Sequence, residues 1–215
     1  MSDKKAIVFI GPSLPIDECR EILDADYRPP VKRNDILHII DEKPDIIGIV
    51  DGVFHQSPAV SHKEILKAID KNITVVGGSS MGALRAAELD DLGMIGIGHI
   101  YNRYANGSIE SDDDVALVFT SDDYTHLSVP YVNIEYNLNL CEKENILTNY
   151  EKNQILNVAK SIYYPKRNYS SILEKADIDL EIKNLLKNFL KTKCIDIKKQ
   201  DAIEVLKYIR NLIED

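Results

Sequence analysis

Short apolar runs alternate with amphipathic stretches along the first 90 residues of the chain. Residues 5–10 (Lys5-Ala6-Ile7-Val8-Phe9-Ile10), 45–50 and 73–76 are continuous and rich in β-branched side chains, the pattern of strands buried on both faces of a sheet. Gly11-Pro12-Ser13-Leu14-Pro15 breaks the first run, and a helix begins at Pro15 with Asp17 and Glu18 in its first turn, where proline fits and acids suit the helix dipole. Tyr27-Arg28-Pro29-Pro30 imposes an extended connection, because a residue before proline avoids the helical region. Asn34 or Asp35 caps a second helix over 36–42, and Ser61 with Glu64 forms an S-x-x-E capping box that starts a third at His62. The β-α-β rhythm predicts an α/β fold with a mainly parallel sheet flanked by helices.

Beyond Leu89 the pattern changes. Gly93, Gly96 and Gly98 stand in the order G-x-x-G-x-G, reversed from the dinucleotide fingerprint and without its strand-to-helix setting, which argues against a nucleotide site. Asn106-Gly107 predicts a hairpin turn, 115–119 a further strand, and 126–140 a half-exposed strand or hairpin, from its loose alternation of polar with β-branched and aromatic residues. Asp112-Asp113-Asp114 lacks the spaced acids of a calcium loop and is expected at the solvated start of the 115–119 strand. Helical periods then recur over 143–162, 179–192 and 199–213. The chain is therefore expected to comprise an α/β core domain, 1–140, and a helical C-terminal region, 141–215.

Composition narrows the class. With 215 residues, 44% hydrophobic and 28% charged, the chain is long enough for a substantial core. No apolar run approaches the roughly 20 residues of a membrane helix, and the N-terminus leads straight into a strand rather than a signal peptide. A cytoplasmic location without membrane association is expected. Cys19, Cys141 and Cys194 are odd in number and fit no C-x-x-C spacing, which suggests neither a disulfide scaffold nor a zinc knuckle. Residues 1–141 carry 12 Lys+Arg against 23 Asp+Glu, a balance of −11, while 142–215 carry 14 against 12. So acidic a core disfavours a nucleic-acid partner.

The candidate chemistry gathers at Gly78-Ser79-Ser80-Met81-Gly82, a G-x-S-x-G match between a strand and a helix. In that setting glycines permit a sharp turn that holds a serine at a helix N-terminus. The plainer readings are an anion site or a serine that merely caps the helix. Loops after the strands ending near Gly11, Asp51 and Gly77 would lie at one edge of a parallel sheet, so Ser13, Asp51, His55, His62, Lys63 and Ser80 are candidates to converge there. A serine hydroxyl needs a base, and His62, oriented by Asp51, or Lys63 could serve; adjacent on one helix, they point about 100° apart, so only one is expected to face the corner. The Met81 N–H is the natural oxyanion donor, with a second from the Gly11–Ser13 loop. Arg85 is suited either to a substrate carboxylate or to a structural ion pair.

Gly11-Pro12-Ser13-Leu14, Asp51-Gly52-Val53-Phe54, His62-Lys63-Glu64-Ile65-Leu66, the block from Ser80 to Leu89, the Gly93–Gly98 segment and Asp112-Asp113-Asp114-Val115-Ala116 together resemble the TfuA-like core domain over roughly residues 5–120. Many relatives have threonine where this chain has Ser13, which keeps the hydroxyl. The resemblance implies an accessory protein of YcaO enzymes, which install sulfur in peptide-backbone amides. It implies hydrolysis of a thiocarboxylated ThiS-type sulfur-carrier protein through a Ser-Lys pair, without metal or cofactor, to release sulfide. Carried over, the pair is Ser80 and a largely buried Lys63. Implied partners are a YcaO enzyme, the carrier and the peptide or protein substrate, methyl-coenzyme M reductase in some archaeal relatives. A non-catalytic adaptor that recruits peptide to YcaO is the alternative.

Overall fold

The computed structural model describes residues 4–54, 57–120 and 124–214. It divides into two compact units: residues 1–112 with 198–215, and residues 113–197. The division thus falls at 112/113 and 197/198 rather than at a single boundary near 140, because the last helix of the chain belongs with the sheet.

The first unit holds five strands: β1 (Ala6–Phe9), β2 (Asp26–Arg28), β3 (Ile46–Ile49), β4 (Thr74–Gly78) and β5 (Ile95–Ile97). All pair in parallel in the order β2-β1-β3-β4-β5. The central β1, β3 and β4 are the apolar runs expected from sequence. The two edges were not legible as strands, since β2 reads Asp-Tyr-Arg and β5 is a three-residue Ile-Gly-Ile, both only half-buried.

Alternate residues of each strand feed two separate cores, as the two-residue period of a strand requires. Ile7, Phe9, Ile47, Ile49 and Val75 pack with α2 (Asp35–Ile40), α3 (His62–Ile69) and α4 (Met81–Leu89) on one face. Ala6, Val8, Ile10, Ile46, Val50 and Val76 pack with α1 (Ile16–Ile22) and the C-terminal helix Ile197–Glu214 on the other. A short helix, α5 (His99–Ala105), follows β5; Asn106 caps it and Gly107 follows with a left-handed φ of 72°. The Asn106-Gly107 pair therefore closes a helix where a hairpin was expected.

Strand and helix meet unusually closely before the carboxyl edge. A Cβ on Gly82 would lie 1.7 Å from the Ile49 carbonyl oxygen, and one on Gly77 2.4 Å from the Gly82 carbonyl oxygen. Only glycine permits α4 to approach β3 and β4 this far.

The second unit is helical: α6 (Tyr131–Lys143), α7 (Asn149–Ser161), α8 (Tyr169–Lys175) and α9 (Leu180–Lys193) surround a core containing Ile134, Leu138, Ile155, Ile172, Leu186 and Phe189. Thr148 and Glu151 form a capping box that starts α7. Of the strands expected at 115–119 and 126–140, the described residues keep only one antiparallel bridge, between Phe119 and His126. Tyr131, Ile134, Leu138 and Cys141 instead form a buried helical stripe, which the buried Asn133 and Asn137 obscure in the sequence. Those asparagines are satisfied from elsewhere in the unit: Asn137 donates to the Ile195 carbonyl at 2.7 Å and accepts from its N–H at 2.8 Å, and Asn133 donates to Asp196 at 2.9 Å. The aspartate trio forms one turn of 3-10 helix, with Asp114 buried, rather than the start of a strand.

The last helix, α10 (Ile197–Glu214), returns to the sheet. Ala202, Val205, Leu206 and Ile209 are completely buried. Three of these are large aliphatic side chains, contributing about 1.5–3 kcal/mol each. Asp201 on the same face accepts the N–H groups of His99 at 2.9 Å and Ile100 at 2.7 Å, and so caps α5 from across the fold. Burial pushes its carboxyl up to about 7, against the opposing pull of the two amides. No described helix is long and apolar enough to cross a membrane.

Candidate functional site

The order β2-β1-β3 reverses direction at β1/β3, and ligands of doubly wound sheets collect outside the carboxyl ends of the strands at such a point. Here the loops after β1 and β3 are locked together by Asp51. This carboxylate, 1% exposed, accepts the N–H groups of Gly11 and Ser13 at 2.9 Å each and the Ser13 hydroxyl at 2.7 Å. Its acceptor capacity is used to shape the loop, and those two amides are occupied by it rather than turned to a substrate.

The neighbouring strand, β4, ends in the serine corner. Ser79 adopts φ 66°, a left-handed conformation uncommon for serine. Its buried hydroxyl lies 3.1 Å from Ser13 Oγ and donates to the Lys198 carbonyl at 2.9 Å. Asp51, Ser13, Ser79 and Lys198 thereby form a continuous polar chain under the sheet edge.

Ser80 follows with φ −116° and ψ −117° and begins α4. Its carbonyl accepts from the N–H groups of Ala83 at 3.0 Å and Leu84 at 3.3 Å, yet its side chain makes no cap hydrogen bond. A serine placed only to cap would turn its side-chain oxygen onto the N–H of Gly82 or Ala83. The residue is only 3% exposed, and its hydroxyl is left over for another partner. The Met81 N–H, first in the helix, likewise has no acceptor among the described residues, so an amide and a hydroxyl lie together at the positive end of α4.

The remaining predicted residues lie elsewhere. The Ser61–Glu64 capping box starts α3 as expected, with the Ser61 hydroxyl 2.8 Å from Glu64 and the Glu64 carboxylate also accepting the Asn34 N–H at 2.7 Å. That helix buries Glu64, Ile65 and Ala68, which turns His62, Lys63 and Lys67 to solvent. Lys63 is therefore exposed, not the largely buried lysine expected from sequence. His62 pairs with Glu88 at 2.7 Å, and Arg85 pairs with the same carboxylate at 2.5 Å while donating to the Val60 carbonyl at 3.1 Å. Of the two roles open to Arg85, the structure shows the ion pair. His55 lies outside the described residues.

One charged residue at the corner escaped the sequence reading. Lys198 is 2% exposed, although lysine is almost never fully buried. The signal was available: Lys198 and Asp201 occupy the stripe of Ala202, Val205 and Ile209, the otherwise apolar face of an amphipathic helix.

Burial pushes Cys19 and Cys141 up to about 12, which disfavours the reactive thiolate in each; Cys194 is exposed and is also raised. A cleft of about 330 Å³ within the helical unit, lined by residues including Asn133, Tyr169, Cys194 and Asp196, contains none of the predicted site residues. No cluster of metal-ligating side chains occurs among the described residues.

The family model described as TfuA-like protein matches residues 51–168, more than half of the chain. Ser80, Lys63 and Arg85 fall within the match, while the Gly11–Ser13 loop and Lys198 fall outside it. No curated protein matches the chain.

Proposed function

The chain belongs to the TfuA-like protein family, which is associated with YcaO-dependent thioamidation, and from that premise we propose that it hydrolyses the thiocarboxylated C-terminus of a ThiS-type sulfur-carrier protein. Sulfide is released for a partner YcaO, which installs it in a peptide or protein substrate. Ser80 is the nucleophile. The observation that carries this reading is the hydroxyl of a largely buried residue at a strand–helix corner, not used to cap the helix it begins.

The chemistry requires few parts. Attack of Ser80 Oγ on the thiocarboxylate carbon forms a C–O bond while a lysine amine takes the hydroxyl proton, and the negative oxygen of the tetrahedral species is met by the Met81 N–H. The intermediate collapses as the C–S bond breaks, the protonated amine returning its proton to sulfur. Water, deprotonated by the same amine, then cleaves the ester and regenerates Ser80. The sum is thiocarboxylate plus water giving carboxylate plus hydrogen sulfide. In the family-implied scheme the amine belongs to Lys63.

The test is single turnover of a thiocarboxylated carrier protein, read as sulfide release and as the carrier's mass. Ser80→Ala is expected to lower the rate by about 10³-fold or more, as for other nucleophile removals. Retention of the wild-type rate would discard the hydrolase and leave the adaptor that recruits peptide to YcaO.

A further inference from the structure

We infer that the cleft of the helical unit binds an extended peptide carrying an aliphatic residue beside a basic one, at a site that shares no residue with the serine corner. One wall of the cleft is the extended segment 126–130. Phe119 faces His126 across an antiparallel bridge, and the N–H groups of Leu127 and Val129 donate to the carbonyls of Val118 and Arg167, both at 2.8 Å. Successive residues of an extended chain turn their main-chain groups to opposite edges, so Ser128 directs its N–H and C=O away from Val118 and Arg167. Neither group has a partner among the described residues, although Ser128 is only 3% exposed. Its hydroxyl is already engaged, accepting the Val118 N–H at 2.9 Å. A main-chain donor and acceptor on a buried residue are rarely left unpaired, and a second extended backbone supplies a partner to both at once.

The other walls set which side chains enter. Leu127, Pro130, Tyr169 and Ile195 give the cleft an apolar lining, and Leu127 is itself 57% exposed. The volume of about 330 Å³ is at the low end of the roughly 300–1,000 Å³ of ligand pockets, room for one or two side chains. Asp196 is the one carboxylate of the lining among the described residues, and the Asn133 amide holds it at 2.9 Å. An aliphatic side chain therefore gains from burial, and a cation next to it gains from Asp196. The walls are fixed before anything binds: Asn137 bonds both main-chain groups of Ile195, and the Tyr169 hydroxyl donates to the Asn133 carbonyl at 3.4 Å. A preformed cleft loses little entropy in ordering itself around a ligand.

The probe is a positional-scanning library of N-acetylated hexapeptide amides, captured on the immobilised whole chain and read by mass spectrometry, with the affinity of the best member then measured by fluorescence anisotropy. Enrichment of an aliphatic residue adjacent to Lys or Arg is expected. N-methylation along the backbone of the selected peptide should weaken binding about tenfold at alternate positions and little at those between, because only alternate amides face one strand edge. Leu127→Asp, at an exposed position and checked for wild-type melting, should weaken binding about tenfold or more while leaving sulfide release from the carrier unchanged. A library without enrichment, or an affinity unchanged in Leu127→Asp, would overturn the site. Binding indifferent to N-methylation would overturn pairing along the Ser128 edge, and selection of Asp or Glu beside the aliphatic residue would overturn the role of Asp196. Release of the peptide on self-association of the chain would put a second copy in the cleft and overturn the peptide as its occupant.

Discussion

Two polar clusters flank α4, and they obey different physics. At the helix N-terminus, Asp51, Ser13, Ser79, Ser80 and Lys198 are each 3% exposed or less. The Ser13–Asp51 and Ser79–Lys198 hydrogen bonds span 38 and 119 residues of sequence. On the outer surface of the helix, His62, Arg85 and Glu88 form ion pairs with Glu88 37% exposed. A buried polar group without its partner costs the full desolvation penalty, whereas an exposed pair is screened and contributes little. The buried chain is thus the one in which each residue is held in place, and the candidate chemistry lies beside it. The outer cluster contains more of the residue types that sequence motifs favour for catalysis, yet His62 and Glu88 stand in water.

Substitutions should separate the clusters sharply. The largest effect is expected at Gly82, where any side chain would enter the Ile49 carbonyl oxygen 1.7 Å away. Backbone cannot yield as a flexible side chain would, so Gly82→Ala should lose about 3 kcal/mol or more in urea unfolding. A loss below about 1 kcal/mol would show that α4 can retreat from β3.

Asp51→Asn comes next. It keeps the shape but removes one acceptor oxygen and places an NH₂ group among the Gly11 and Ser13 donors, and should cost about 2–4 kcal/mol in the same assay. A variant as stable as wild type would mean that the Gly11–Ser13 loop holds its conformation unaided. The smallest effect is expected for Glu88→Gln, which removes the anion shared by His62 and Arg85. Its stability should change by no more than about 1 kcal/mol, with sulfide release within twofold of wild type. A tenfold fall would transfer functional weight to the outer cluster.

The elements legible in the sequence share one property: their signal is local. Three buried strands announce themselves as β-branched runs, the Ser61–Glu64 box as a spacing of three, and the serine corner as glycines between a strand and a helix. Sequence reading erred where long-range contacts overrode local pattern. At 131–143 the buried Asn133 and Asn137 broke the apolar stripe of a helix, because Ile195 and Asp196 supply their partners. At the sheet edges, β2 and β5 are too short and too polar to signal a strand, and pairing alone makes them one.

The amino-acid sequence by itself therefore determined the parallel α/β core, the helical nature of the C-terminal part and the Ser80 corner, since each follows from propensity and periodicity over a few residues. Only tertiary structure decided which charged groups leave water. Lys63, adjacent to a recognised capping box, went to the surface because its helix buries Glu64, Ile65 and Ala68 instead. Lys198, in a Lys-rich stretch without a motif, was carried to the serine corner by the apolar stripe of α10. Burial is a property of packed surfaces, and the backbone of residue 198 meets Ser79 only after the last helix has closed over the sheet.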